Sequence, residues 1–81
     1  MRMDDVDWYM EARRVLRAEL VRRDIAYKQL ATMLQGIGVA ETERSIANKL
    51  ARGSFSFAFF LQSMMALGCA TVEISLKDIG S

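Results

Sequence analysis

Apolar residues recur at helical spacing in four successive stretches of this chain, and glycine rather than proline separates them. In the second stretch Tyr27, Leu30, Ala31 and Leu34 stand at i, i+3, i+4 and i+7, one face of an amphipathic helix. That spacing predicts a short helix over 27–35, stopped by Gly36 and Gly38. A longer helix is predicted before it, over 6–23. There Trp8, Ala12, Val15, Leu16 and Leu20 keep the same period among good helix formers. Asp5 or Asp7 suits its N-cap, and Arg22 and Arg23 suit its negative C-terminal end.

The third stretch opens on Thr42, a good N-cap, and closes on Gly53. Ile46, Ala47 and Leu50 point to the core, which leaves Arg44, Ser45, Asn48, Lys49 and Arg52 on the outside. A fourth helix is predicted over 57–67, capped by Ser56 and ended by Gly68. It is apolar almost all round, so it is buried on several sides. In so small a domain this predicts a dimer face that includes Phe60 and Met64; the other reading is a central core helix. Beyond it, Val72, Ile74 and Leu76 alternate with Thr71, Glu73, Ser75 and Lys77, a strand pattern over 71–77. A lone strand cannot satisfy its own backbone. It is therefore expected to pair with a second copy, adding Val72, Ile74 and Leu76 to the dimer interface, or with the 37–40 link. An amphipathic turn of helix is the alternative.

The expected fold class is thus all-α: one domain over 1–81, with a four- to five-helix core at about 12–70 and a short C-terminal strand. A chain of 81 residues has only a small core of its own, and a hydrophobic share of 52% is too high for a disordered tail. Together they favour burial of some apolar surface between chains.

The side-chain inventory excludes most catalysis. There is no histidine, so no His-based triad, His metal site or His general base can form. Cys69 stands alone, which forbids an internal disulfide and a zinc site. In its apolar surroundings it reads as a small buried hydrophobe. Gly36-Ile37-Gly38 lacks the Lys-Ser/Thr of a phosphate-binding loop. Asp4, Asp5 and Asp7 lack the Gly and closing Glu of a calcium loop and read as helix-start charge. We therefore expect no enzyme, no cofactor and no small-molecule substrate. No apolar run reaches the ~18 residues of a membrane span, and the start of the chain has no signal-peptide core. A cytoplasmic location is expected.

The net charge is only +1, yet its distribution is uneven. Residues 12–56 hold nine Lys/Arg against four Asp/Glu, a net +5, and the two ends together carry −4. A basic middle between acidic ends suits a phosphate-binding face. Within it Arg44, Ser45, Asn48 and Lys49 are candidate groove readers, because Arg pairs with guanine and Asn with adenine through paired hydrogen bonds. Arg52 and Lys28 are candidate phosphate clamps. Lys28 lies with Gln29 at a helix start, where backbone N–H groups also meet phosphate.

Read in order, Leu16-Arg17-Ala18-Glu19-Leu20, Tyr27-Lys28-Gln29-Leu30-Ala31, Ile46 through Gly53, and Ala66-Leu67-Gly68-Cys69 at the end of the fourth helix resemble λ-repressor-like (Xre-type) helix-turn-helix domains. The resemblance covers about 15–72. It implies that the helix opened by Tyr27 lies over the DNA backbone and that the next enters the major groove. A closer likeness is to a small bacterial family known only as a domain of unknown function. It rests on Gly38-Val39 through Thr42-Glu43, Ile46-Ala47-Asn48-Lys49, Arg52-Gly53-x-Phe55 and Phe59-x-Leu61-Gln62. One departure stands out. Gln35 to Glu41 is longer than the 3–4-residue turn of a standard motif. Glu41 and Glu43 also put negative charge at the end expected to enter the groove.

Two readings of function follow. The first is a sequence-specific, DNA-binding transcriptional regulator of bacterial or phage type, acting as a homodimer on double-stranded DNA. The second is a protein-interaction or dimerisation module on the same fold that does not touch DNA.

Overall fold

The computed structural model describes residues 6–69, 71–74 and 76, and among them four helices form, three of which start where a side chain satisfies free N–H groups of the first turn. The Asp7 carboxylate accepts from the N–H of Tyr9 (3.1 Å) and Met10 (3.2 Å) and starts α1, Trp8–Arg22. Asp5, the other proposed cap, lies outside the described residues. The start of α2, Tyr27–Gly36, has Ala26 at its N-cap; there the Gln29 side chain reaches back and accepts from the Ala26 N–H at 2.8 Å. Thr42 caps α3, Glu43–Arg52, and Ser56 caps α4, Phe57–Ala66, by accepting from the Phe59 N–H at 3.0 Å. The helices match the sequence expectation to within two residues at each end.

Three helices end in one hydrogen-bond pattern. A residue at positive φ closes each: Asp24 (57°) after α1, Gly38 (85°) after α2 and Gly68 (82°) after α4. Its own N–H and that of the next residue bond back to the last turn. Val39 N–H reaches Leu34 C=O at 2.9 Å, and Cys69 N–H reaches Met64 C=O at 3.0 Å. In each case the next residue, Ile25, Val39 or Cys69, turns inward against the core. The seven residues from Gln35 to Glu41 are therefore a helix cap followed by a short extended link.

The α3 helix ends differently. Gly53 takes φ +71° and is buried, and a β-carbon placed on it would lie 2.1 Å from the carbonyl oxygen of Tyr9. Only a residue without that carbon lets the end of α3 rest on the start of α1.

The core is built from Leu16, Leu20, Leu30, Leu34, Ile46, Leu50, Phe59, Phe60 and Met64, drawn from all four helices. α3 packs on both α1 and α2, and α4 packs on α2. Phe55 meets Phe59 edge-on, with ring centroids 5.7 Å apart, beneath α3. The buried Ser63 hydroxyl donates to the Phe59 carbonyl at 2.9 Å, which leaves no unmet polar group there.

Two expectations need correction. Phe60 and Met64 are 5% and 2% exposed, so they are core residues of their own chain rather than a dimer face. α4 fills the core with one side, and its outward side carries Phe57, Leu61 and Met65 instead. The predicted C-terminal strand is absent among the described residues of that stretch, 71–74 and 76. Among the described residues of this single chain no strand supplies the ladder that its backbone would need. Ser75 and Lys77 of that expectation lie outside the described residues.

Candidate nucleic-acid interface

The outward arc of α3 follows from where its apolar residues sit. Ile46, Leu50 and Gly53 face the core, so Arg44, Asn48, Ala51 and Arg52 fall together on the opposite side. All four are exposed. No side-chain hydrogen bond or ion pair engages Arg44, Asn48 or Arg52 among the described residues.

Ser45 and Lys49, also predicted as readers, sit on the flank of that arc and are engaged within the chain. Ser45 and Thr42 form a reciprocal cap: Ser45 N–H donates to Thr42 Oγ1 at 3.0 Å, and Thr42 N–H donates to Ser45 Oγ at 2.9 Å. Ser45 Oγ also donates to Glu41 at 2.6 Å. Lys49 Nζ lies 3.1 Å from both carboxylate oxygens of Glu41 and 5.3 Å from the centroid of the Phe59 ring. The Glu41 carbonyl in turn accepts from Gln35 Nε2 at 2.8 Å. Glu41 is thus held from both sides, and it fixes the link between α2 and α3. The acidic residue that looked adverse to DNA is turned away from the exposed arc and is neutralised by Lys49. Glu43 stays exposed in the first turn of α3.

The start of α2 offers a second feature. With alanine at the N-cap, no side chain covers its first-turn N–H groups. Lys28 is exposed there. Gln29 is committed to the helix start, as described. Arg17, an exposed residue of α1, borders a shallow hollow with Ala26 and Tyr27. Sequence reading missed Arg17 because helical period gives its face but not its neighbour. The remaining arginines of α1 and its C-cap are mostly paired: Arg14 with Glu11 at 2.7 Å, and Arg22 and the C-cap Arg23 with Glu19. The hydrogen bond that Arg14 donates to the Glu11 carboxylate raises its guanidinium above the ordinary pKa. Arg23 Nη2 also lies 2.8 Å from Cys69 Sγ, so this half-buried thiol joins the end of α1 to the residue after α4.

Among the described residues no group of three acidic, cysteine or histidine side chains converges on a possible metal position. No described helix is long and apolar enough to cross a membrane.

These features define a small four-helix domain with a polar, partly basic outward helix. Comparison with known families places it: the chain belongs to the family described as Domain of unknown function (DUF6471), which matches residues 8–72. No curated protein and no solved structure matches it.

Proposed function

We propose that this chain is a sequence-specific, double-stranded-DNA-binding regulator of bacterial or phage type that acts as a homodimer in the cytoplasm, without enzymatic chemistry. α2 and α3 then form a helix-turn-helix unit of the λ-repressor-like kind. The observation that carries this reading is the exposed α3 arc, where Arg44, Asn48 and Arg52 have no side-chain hydrogen bond or ion pair among the described residues. Arg44 and Asn48 present the two side-chain types that read guanine and adenine, and Ala51, about one turn beyond Asn48 on the same arc, suits the thymine methyl. Arg52, Lys28 and Arg17 supply charge to flanking phosphates, with the α2 N-terminus facing the backbone. Ser45 and Lys49 support the reading helix from behind.

The test is enrichment of genomic fragments at low and moderate salt, repeated with the Arg44→Ala/Asn48→Ala variant. A palindromic site recovered by the natural chain and lost by the variant supports the reading. Binding that is unchanged in the variant overturns this assignment of the reading face. The second reading, an interaction module without DNA contact, is favoured by the exposed apolar residues of α4. It predicts no recovery at either salt.

A further inference from the structure

α4 carries no charged residue, and its outward side is as apolar as its buried one. Phe57, Leu61 and Met65 stand at i, i+4 and i+8 and are 66%, 44% and 65% exposed. The stripe continues past the end of the helix. Phe57 stacks on Phe60 and, with Trp8, Ile74 and Leu76, lines a groove of about 290 Å³ whose walls are mainly hydrocarbon. Trp8, Ile74 and Leu76 are themselves exposed.

We infer that a second copy of this chain covers this surface, with the two α4 helices packed antiparallel about a two-fold axis through Leu61. Three observations select a copy over an unrelated partner. First, the stripe is self-complementary. Leu61 is its midpoint, so a two-fold axis sets Leu61 against its own copy and Phe57 of one chain against Met65 of the other. That pair gains from the contact between sulfur and ring. Second, the helix has no charge that a two-fold axis would set against itself, and none with which a different partner could be selected. Third, the area fits. The six exposed side chains offer roughly 600 Å² of apolar surface, at the upper limit of what a monomer keeps open and close to the ~800 Å² per partner of a standard interface. Ala58, exposed one turn before Leu61, lets the two backbones approach closely.

The inference concerns the fold and holds whether or not α3 reads DNA. It replaces Phe60 and Met64 as the pairing residues with Phe57, Leu61 and Met65, and it keeps Ile74 and Leu76 at the margin. Sedimentation velocity of the full chain over a concentration series tests it. The natural chain is expected to be a dimer at tens of micromolar. Leu61→Glu sets two carboxylates across the axis and is expected to weaken pairing by about 100-fold or more, with its helical circular dichroism and melting cooperativity retained because the site is exposed. A natural chain that stays monomeric, or a Leu61→Glu dimer of undiminished affinity, overturns the inference. Leu61→Cys in a Cys69→Ser background gives an independent readout. Mild oxidation is expected to link two chains covalently, and failure to link while the chain is dimeric places the interface elsewhere.

Discussion

The α-carbon of Gly53 faces the backbone carbonyl of Tyr9 with no room for a side chain: a β-carbon there would stand 2.1 Å from the oxygen. This contact seats the C-terminus of α3 on the N-terminus of α1. Gly53→Ala is expected to destabilise the domain by about 3 kcal/mol, from positive φ and overlap with rigid backbone together. Gly68 has a similar φ of +82° but open space around it. Gly68→Ala is therefore expected to cost only about 1 kcal/mol. Urea melts of the two variants separate strain from overlap, and equal losses would remove the contact from the explanation.

Asp24 is the one non-glycine residue at positive φ among those described. Its role is that of Gly38 and Gly68, without their freedom from steric cost. Asp24→Gly is expected to stabilise the domain by about 0.5 kcal/mol or more, since left-handed strain is relieved by more than the entropy that glycine adds to the unfolded chain. A lowered urea midpoint would contradict this account of the α1 end.

Lys49 and Asn48 are neighbours in sequence with opposite expected effects. Lys49 is held by Glu41 and lies over Phe59, so Lys49→Met and Glu41→Gln are expected to act on stability. A double-mutant cycle between the two positions is expected to give a coupling of about 1 kcal/mol. Asn48→Ala is expected to leave stability within about 0.5 kcal/mol and to alter base preference instead. A Lys49→Met variant that keeps its melting point and changes the DNA site selected would return Lys49 to the reading set.

Phosphate contacts release counterions, so they are counted by salt dependence. Lys28→Ala and Arg17→Ala are each expected to lower the slope of log affinity against log salt by about one, without changing the preferred sequence. Arg14→Ala, in which the lost guanidinium is bound to Glu11, is expected to leave the slope unaltered. Fluorescence anisotropy on one duplex over a salt series measures all three. Equal slopes throughout would detach the start of α2 from the DNA.

The helices were legible because capping and period are local. Asp7, Thr42, Ser56, Gly53 and Gly68 mark ends through groups within a few residues. What depends on tertiary neighbours was not legible. α4 is apolar on every side, so no polar face betrays that Phe60 turns in and Phe57 turns out. Lys49 falls on a flank that period alone assigns to solvent, and only the folded link brings Glu41 to its ammonium. The length of the link read as a departure from a tight turn, because a cap closed by Gly38 and Val39 is a hydrogen-bond pattern rather than a residue pattern. The alternation at 71–77 looked like a strand because period describes a segment's own faces and cannot supply the neighbour that a ladder needs.

The lengths of the helices carry one more consequence. α2, α3 and α4 have ten residues each, below the ~12–15 at which a helix holds alone in water. An excised α3 peptide is then a coil, and its row of side chains is scattered. The outward arc exists only while α1 and α2 press on its back, with α4 packed on α2 in turn, so damage anywhere in the core silences the surface at the same temperature that melts the whole. Surface and interior form one thermodynamic unit, and neither can be inherited, trimmed or transplanted without the other.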